Sequence, residues 1–141
     1  MIRNYQSSDI EHLIQIWLEA SIKAHHFIPR EFWQSQVESM RNIYLPSSEV
    51  YVYELDSSVV GFYALHEDNL AAIFVSPDQQ HQGIGKQLID HAKQRRPMLT
   101  LSVYKENQAS YQFYLSQGFK VEIEQADPHT AHLEYVMYYQ P

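Results

Sequence analysis

The segment Gln80-His81-Gln82-Gly83-Ile84-Gly85-Lys86 has the residue types and spacing of a binding loop. It follows the apolar run Leu70–Val75, which predicts a buried strand, and it precedes a pattern of helical period. Its two glycines allow the backbone to come close to a ligand. The N–H groups of a first helical turn have no partner within the helix, and the helix dipole favours negative charge there. The segment therefore predicts a site for an anion such as a pyrophosphate, held by backbone amides.

Two common phosphate-binding motifs do not fit this loop. A P-loop has four residues between its glycines, whereas a single residue separates Gly83 from Gly85. A dinucleotide-binding fingerprint has a small residue where Leu88 stands. On spacing alone, a glycine-containing helix start that binds no ligand is also compatible with the sequence.

Composition narrows the classes of function. The chain of 141 residues has 17 Asp and Glu against 10 Lys and Arg, a formal net charge of −7. This charge argues against a general nucleic-acid-binding protein and suits a cationic substrate. There is no cysteine, so disulfides and thiolate nucleophiles are excluded. The length predicts a single domain over residues 1–141. The sequence has no long apolar run and no signal-peptide pattern, which predicts a location in the cytoplasm.

Hydrophobic periodicity predicts the order β-α-α-β-β-β-α-β-α-β-β. A capping box of Ser8 and Glu11 is expected to start the first helix. Strands and helices that alternate in this way predict an α/β protein with one mixed sheet and helices on both faces. The expected strands cover residues 2–5, 50–54, 59–67, 70–75, 98–103, 119–123 and 133–139, and the helices cover residues 8–24, 29–45, 84–95 and 107–117.

The chain resembles the GNAT superfamily of N-acetyltransferases over nearly its whole length. The acetyl-CoA motif of that family, Gln/Arg-x-x-Gly-x-Gly/Ala, matches Gln80 to Gly85. A helix motif, Phe-Tyr-x-x-x-Gly-Phe, matches Phe113 to Phe119, after an Asn at position 107. The stretch His25-x-Phe27-Ile28 is most similar to a small bacterial subgroup that includes peptidyl-lysine acetyltransferases. The resemblance implies a GNAT fold, with a mixed central sheet splayed between the fourth and fifth strands.

The resemblance also implies acetyl-CoA as cosubstrate and assigns roles to residues. The splay would leave backbone groups of Ile73, Phe74 and Val75 free to pair with pantetheine amides. The amides of residues 81–86 would hold the pyrophosphate. The side chain of Gln80 would contact the cofactor or order the loop, and the Asn107 side chain would bind the pantetheine amides.

Tyr114 is the expected general acid. Acetyl transfer to an amine expels the CoA thiolate, and a phenol stays protonated at neutral pH and can donate to the departing sulfur. The alternative is that Tyr114 is one packed aromatic side chain of its helix. For the base, or for a contact with the acceptor, His25 is the first candidate, because an ordinary histidine titrates near neutral pH. Further candidates are His26, Glu67 and Asp68.

Together these residues predict an acetyl-CoA-dependent N-acetyltransferase that acts on a primary amine by direct attack in a ternary complex. A protein lysine is the expected acceptor, and a small-molecule amine is the alternative. A module that binds acetyl-CoA without catalysis is a second alternative, although it would need neither Tyr114 nor Asn107. No metal, nucleic acid or membrane is expected as a partner, and the sequence is compatible with a monomer or a homodimer.

Overall fold

Seven strands form one sheet in the computed structural model, which describes all 141 residues. The strands are β1 (Ile2–Asn4), β2 (Glu49–Leu55), β3 (Ser58–His66), β4 (Asn69–Val75), β5 (Leu99–Tyr104), β6 (Lys120–Ala126) and β7 (Leu133–Tyr139). Their order in the sheet is β1-β2-β3-β4-β5-β7-β6. Only β4 and β5 run parallel, and the other neighbours are antiparallel. The expected mixed sheet is confirmed.

Helices cover both faces of the sheet, as expected. They are α1 (Ile10–Ala24), α2 (Arg30–Ser35), α3 (Val37–Ser39), α4 (Ile84–Arg95) and α5 (Gln108–Ser116). On one face, Leu13 and Trp17 of α1 pack with Phe62 of β3 in one hydrophobic cluster, and we call this the α1 side. On the other face, Leu88 of α4 packs with Met137 of β7, and we call this the α4 side. None of the helices combines the length and apolar character that crossing a membrane requires.

The second expected helix is interrupted. It divides into α2 and α3, and α3 continues into a π-helical turn over Met40–Tyr44, where the Leu45 N–H donates to the Met40 carbonyl at 3.1 Å. The wider turn brings Leu45 into the core and leaves Ile43 and Tyr44 exposed. The continuous helix expected over residues 29–45 is therefore wrong, because the wider turn changes the direction of the side chains that follow.

The residue that accepts hydrogen bonds at the start of the first helix is Asp9, not Ser8. The Asp9 carboxylate accepts the Gln6 N–H at 2.8 Å and two guanidinium N–H groups of Arg3, each at 3.0 Å. The hydrogen bonds from Arg3 hold the pKa of Asp9 below its usual range. A short 3-10 turn over Ser7–Asp9 comes before α1, and the capping contact joins Gln6 and Asp9. The expected pair of Ser8 and Glu11 does not form.

Strands β4 and β5 separate after a single residue pair, Asn69 with Thr100. Strand β4 also has an irregularity close to this pair. Its residues Leu70 and Ala72 pair with consecutive residues of β3, so Ala71 between them has no partner. A bulge of this kind bends a strand and increases its twist. The expected opening between the fourth and fifth strands is confirmed, and the bulge lies at the end where the opening begins.

Candidate active site

A cavity of about 1350 Å³ extends through the gap between β4 and β5. Lys23 and His25, from the end of α1, line it on the α1 side. Residues 83–86 and Tyr114 line it on the α4 side. The gap in the sheet thus gives one continuous cavity that connects the two faces, and most of the residues expected in the site contribute to its walls.

The register of β3 and β4 decides which backbone groups of β4 point into the gap. The Ser76 N–H donates to the Val60 carbonyl at 2.7 Å. Hydrogen-bonded and non-hydrogen-bonded pairs alternate along an antiparallel ladder, so the backbone groups of Phe74 also face β3. Those of Ile73 and Val75 face the gap. The backbone groups of Ile73 and Val75 are therefore free, and their pairing with pantetheine stays a prediction. The groups of Phe74 belong to the ladder, so they are not free as expected.

Side chains at the two ends of the glycine-containing loop contact the protein itself. Gln80 Nε2 donates to the Val75 carbonyl at 3.1 Å, which ties the loop to the end of β4. This contact matches the loop-ordering alternative for Gln80, and it leaves the N–H as the free backbone group of Val75. Lys86 Nζ pairs with Asp90 at 2.8 Å, so the lysine charge is already partnered.

The backbone amides of this loop are unpaired. The N–H groups of residues 80–86 donate to no acceptor in the protein. His81 and Gly83 have positive φ angles of 66° and 82°, and Gly83 directly precedes α4. A Cβ on Gly83 would have no heavy atom within 4 Å, so the space in front of it is open. Free amides at the positive end of the α4 dipole can bind an anion.

Tyr114 lies on α5 and lines the cavity. Its side chain is buried, and its ring packs against Phe113 and Phe119. Burial raises the pKa of the Tyr114 hydroxyl above its ordinary value. The phenol is therefore protonated at neutral pH, and no side chain or backbone group of the protein is its hydrogen-bond partner. It can donate its proton to a group in the cavity.

Asn107 and His25 meet in the structure although 82 positions separate them. Asn107 Oδ1 accepts the Ser110 N–H at 3.3 Å and caps α5. Asn107 Nδ2 lies 3.2 Å from His25 Nε2 and donates to it. Both polar groups of the amide are engaged within the protein. In the structure Asn107 caps α5 and bridges to His25, and its expected contact with pantetheine stays a prediction.

The surroundings of His25 are apolar, which disfavours its expected role as a base, and its alternative role as a contact with the acceptor stays a prediction. The ring stacks on Trp33 at 5.0 Å and contacts Phe27 and Tyr104 edge to face. This burial lowers the pKa of His25 to about 4. The ring is neutral at neutral pH, and its Nε2 lone pair already accepts from Asn107. The other candidates for the base, His26, Glu67 and Asp68, do not line the cavity.

We expect His25 to titrate with a pKa of about 4 in ring NMR spectra. In the unfolded chain a histidine has a pKa of about 6.5, so the unfolded state takes up this proton first as the pH falls. The contribution of His25 to the free energy of unfolding is therefore complete above about pH 6.5 and is lost progressively towards pH 4. Urea unfolding at pH 7 and pH 5 should show this loss, and a His25→Gln variant should show less of it. Ring signals that titrate near pH 6.5 would contradict the buried, neutral state.

Glu106 is a residue of the cavity that the sequence did not single out. It is the only Asp or Glu among the residues that line the cavity. Its position directly before Asn107, at the carboxyl end of β5, is the signal that could have found it. The side chains that surround it come from distant parts of the chain, and the periodicity of the sequence contains no information about them.

Residues 46–121 match the family model described as the acetyltransferase (GNAT) domain. The match covers more than half of the chain, and it includes β4, the glycine-containing loop, α4, β5 and α5. The protein therefore belongs to the GNAT acetyltransferase family. This membership is consistent with two features described above, the parallel strands β4 and β5 that separate and the unpaired backbone amides of the loop.

Relatives define the enzyme class. The chain is 38% identical over 122 residues to the peptidyl-lysine N-acetyltransferase YiaC of Escherichia coli, covering 86% of this chain and 84% of the relative. It is 32% identical to the peptidyl-lysine N-acetyltransferase YjaB of Escherichia coli, covering 85% and 82%. It is 28% identical to a spermidine N(1)-acetyltransferase of Thermoplasma acidophilum, covering 86% and 88%.

The solution structure of YjaB without ligand from Escherichia coli matches the fold with a TM-score of 0.87 at 27% identity, covering 99% of this chain and 96% of that one. The expected GNAT fold, the similarity to the peptidyl-lysine subgroup and the expected class of enzyme, an acetyl-CoA-dependent N-acetyltransferase, are confirmed.

Proposed function

We propose that this enzyme, acting as one domain over residues 1–141, transfers the acetyl group of acetyl-CoA to the side-chain amine of a protein lysine. The observation that carries the proposal is the cavity that connects the two faces of the sheet, with free backbone amides on the α4 side. Three relatives above 30% identity carry the name peptidyl-lysine N-acetyltransferase, which supports lysine as the acceptor. The net charge of −7 suits a cationic substrate.

In this proposal acetyl-CoA binds from the α4 side. Its pyrophosphate accepts hydrogen bonds from the amides of residues 81–86, and the α4 dipole adds to the attraction. Its pantetheine arm lies in the gap beside β4. The N–H and carbonyl of Ile73 and the N–H of Val75 pair with the pantetheine amides, as the groups of an added strand would. The Gln80 side chain holds the loop against the end of β4 through its hydrogen bond to the Val75 carbonyl.

The acceptor amine enters from the α1 side and attacks the thioester carbonyl directly. The new C–N bond forms as the C–S bond breaks, and Tyr114 donates its proton to the departing thiolate. A backbone N–H of β4 in the gap stabilises the negative charge that develops on the carbonyl oxygen. The chain has no cysteine to carry an acyl group, and binding both substrates in one cavity supplies the proximity that the reaction needs.

The test is a measurement of CoA thiol release against a panel of amines, with acetyl-CoA binding followed by calorimetry. The panel contains peptides with one lysine and a blocked N-terminus, peptides with a free N-terminus and no lysine, spermidine and an aminoglycoside. The same lysine peptide with its side chain already acetylated is the matched control. The proposal expects release that depends on the free lysine amine. Faster release with spermidine would assign a polyamine acceptor, and binding without turnover on any amine would favour a module that only binds acetyl-CoA.

A further inference from the structure

We propose that Glu106 is the residue that binds the cationic amine of the acceptor where it enters the cavity. The inference rests on the proposed function, because it assigns the acceptor contact of the same site. Of the 17 acidic residues in the chain, Glu106 is the one that lines the cavity. A lysine side chain that enters this cavity meets no other carboxylate in its walls.

The backbone around Glu106 is held on both sides. The Lys105 N–H donates to the Leu133 carbonyl at 2.9 Å, and the Asn107 N–H donates to the Tyr104 carbonyl at 3.0 Å. The Glu106 side chain is nevertheless 57% exposed. The carboxylate is therefore anchored at a fixed point of the wall and is accessible to a substrate that arrives from solvent.

The neighbours of Glu106 place it on the α1 side of the gap. His132 Nδ1 lies 3.6 Å from Glu106 Oε1, and the His132 ring contacts Phe27 at 5.2 Å between ring centroids. Phe27 belongs to the connection between α1 and α2 and packs with the α1-side cluster. The amides of residues 81–86 line the opposite side. Glu106 is thus positioned for the acceptor and not for the pyrophosphate.

The charge of Glu106 has no lysine or arginine partner. Lys105, its neighbour in sequence, pairs with Glu124 at 2.9 Å. Of the two lysines that line the cavity, Lys86 pairs with Asp90, and Lys23 forms no ion pair. His132 is the one basic side chain within 4 Å of its carboxylate. A substrate ammonium can therefore form a charge-assisted hydrogen bond with Glu106 without displacing another cation from the protein.

An aromatic surface beside the carboxylate fits the rest of a lysine side chain. Tyr104 lines the cavity next to Glu106, and its hydroxyl donates to Asp127, which fixes the ring. Phe27, which does not line the cavity, supports the Tyr104 ring edge to face at 5.7 Å between ring centroids. Apolar faces of this kind pack against the methylenes of a lysine while its ammonium reaches a polar group. The combination selects a cationic amine at the end of a flexible apolar chain.

The proton balance involves solvent. The ammonium must lose one proton before its nitrogen can attack, and that proton passes to solvent, which reaches the amine at the exposed Glu106 side chain. The C–N bond then forms as the C–S bond breaks, and Tyr114 protonates the thiolate. The remaining excess proton on the new amide nitrogen returns to Tyr114 through water. One amide, one thiol and one released proton are the products.

The test compares Glu106→Gln with the wild-type enzyme and with Glu122→Gln, which removes the same charge from an exposed position on the edge strand β6. For the lysine peptide, kcat/KM of Glu106→Gln should fall about tenfold or more, mainly through a higher KM. The Kd for acetyl-CoA should stay within about twofold, as expected for an acceptor contact alone. Glu106→Asp should recover part of the loss, and Glu122→Gln should behave like the wild type.

A peptide with an aminooxy group in place of the lysine amine separates charge recognition from a structural effect, because this nucleophile is uncharged at neutral pH. The wild-type enzyme should prefer the lysine peptide in KM, and Glu106→Gln should lose that preference. Equal losses on both peptides, or no loss on either, would overturn the role of Glu106 while leaving the acetyltransferase itself intact. A wild-type enzyme that acetylates no lysine peptide would instead overturn the proposed function.

Discussion

The variant Tyr114→Phe is expected to release CoA in the presence of a lysine peptide about 100-fold or more slowly than the wild type. The substitution removes only the hydroxyl, and the ring keeps its contacts with Phe113 and Phe119. Without the phenol, the thiolate has to leave unprotonated, which raises the barrier of the step that breaks the C–S bond. The Kd for acetyl-CoA should change by less than about threefold, because in the proposed binding mode the backbone amides of the loop provide most of its contacts. Steady-state kinetics and calorimetry measure the two quantities.

Tyr111→Phe is the matched control for this experiment. Tyr111 lies on the same helix, but its ring packs on Tyr135 at 4.7 Å and does not line the cavity. Its loss of a hydroxyl should leave turnover within about twofold of the wild type, since it removes no group that faces the substrates. Comparable rates in Tyr114→Phe and the wild type would remove Tyr114 from the mechanism. A similar decrease in both variants would assign the effect to packing of the helix.

The variant Gly83→Ala is expected to weaken acetyl-CoA binding by about tenfold or more, which corresponds to the loss of a hydrogen bond to a charged group. Gly83 has a φ of 82°, where an alanine is strained by about 1 kcal/mol. Relaxation of that strain rotates the adjoining amides away from the direction in which they would meet the pyrophosphate. The added Cβ also enters the open space in front of the loop. Calorimetric titration with acetyl-CoA and thermal unfolding measure affinity and stability separately.

Gly118→Ala tests whether strain alone explains such a result. Gly118 follows α5 with a φ of 93°, and the Phe119 N–H donates to the Tyr114 carbonyl at 3.0 Å, as expected in a glycine-terminated helix. A Cβ there would approach the Tyr139 ring at 3.3 Å. The variant should lose stability and keep its affinity for acetyl-CoA within about twofold. Unchanged affinity in Gly83→Ala would disprove the proposed pyrophosphate site.

Most of the strands and helices could be predicted because their signals are local. Alternating apolar residues define β2 and β3, and the turn between them uses Asp56 and Ser57 with positive φ angles of 51° and 68°, as a tight hairpin needs. The end of α5 at Gly118 follows from the conformational freedom of glycine. The π-helical turn before Leu45 could not be predicted. The π-helical turn depends on the packing of Leu45 in the hydrophobic cluster on the α1 side. Helical periodicity in the sequence does not describe such packing.

The candidate site was predictable to the extent that its residues are close in sequence. The loop from Gln80 to Lys86 and the helix with Tyr114 are local motifs, and the structure brings both to one cavity. The orientation of Phe74 was not predictable, because it depends on the register between β4 and β3. The low pKa of His25 depends on aromatic rings that several distant segments contribute.

The cavity through the sheet also bears on how large an acceptor the enzyme can use. If acetyl-CoA occupies the α4 side, its bulk does not obstruct the α1 side, and the two substrates need no common entrance. Only a side chain has to pass into the gap, while the remainder of the acceptor stays outside the enzyme. The volume of the cavity then sets no upper limit on the size of the acceptor. The length of the acceptor side chain is the limit instead. An amine on a short or buried side chain does not reach the thioester, whereas an exposed lysine on the surface of a folded protein does.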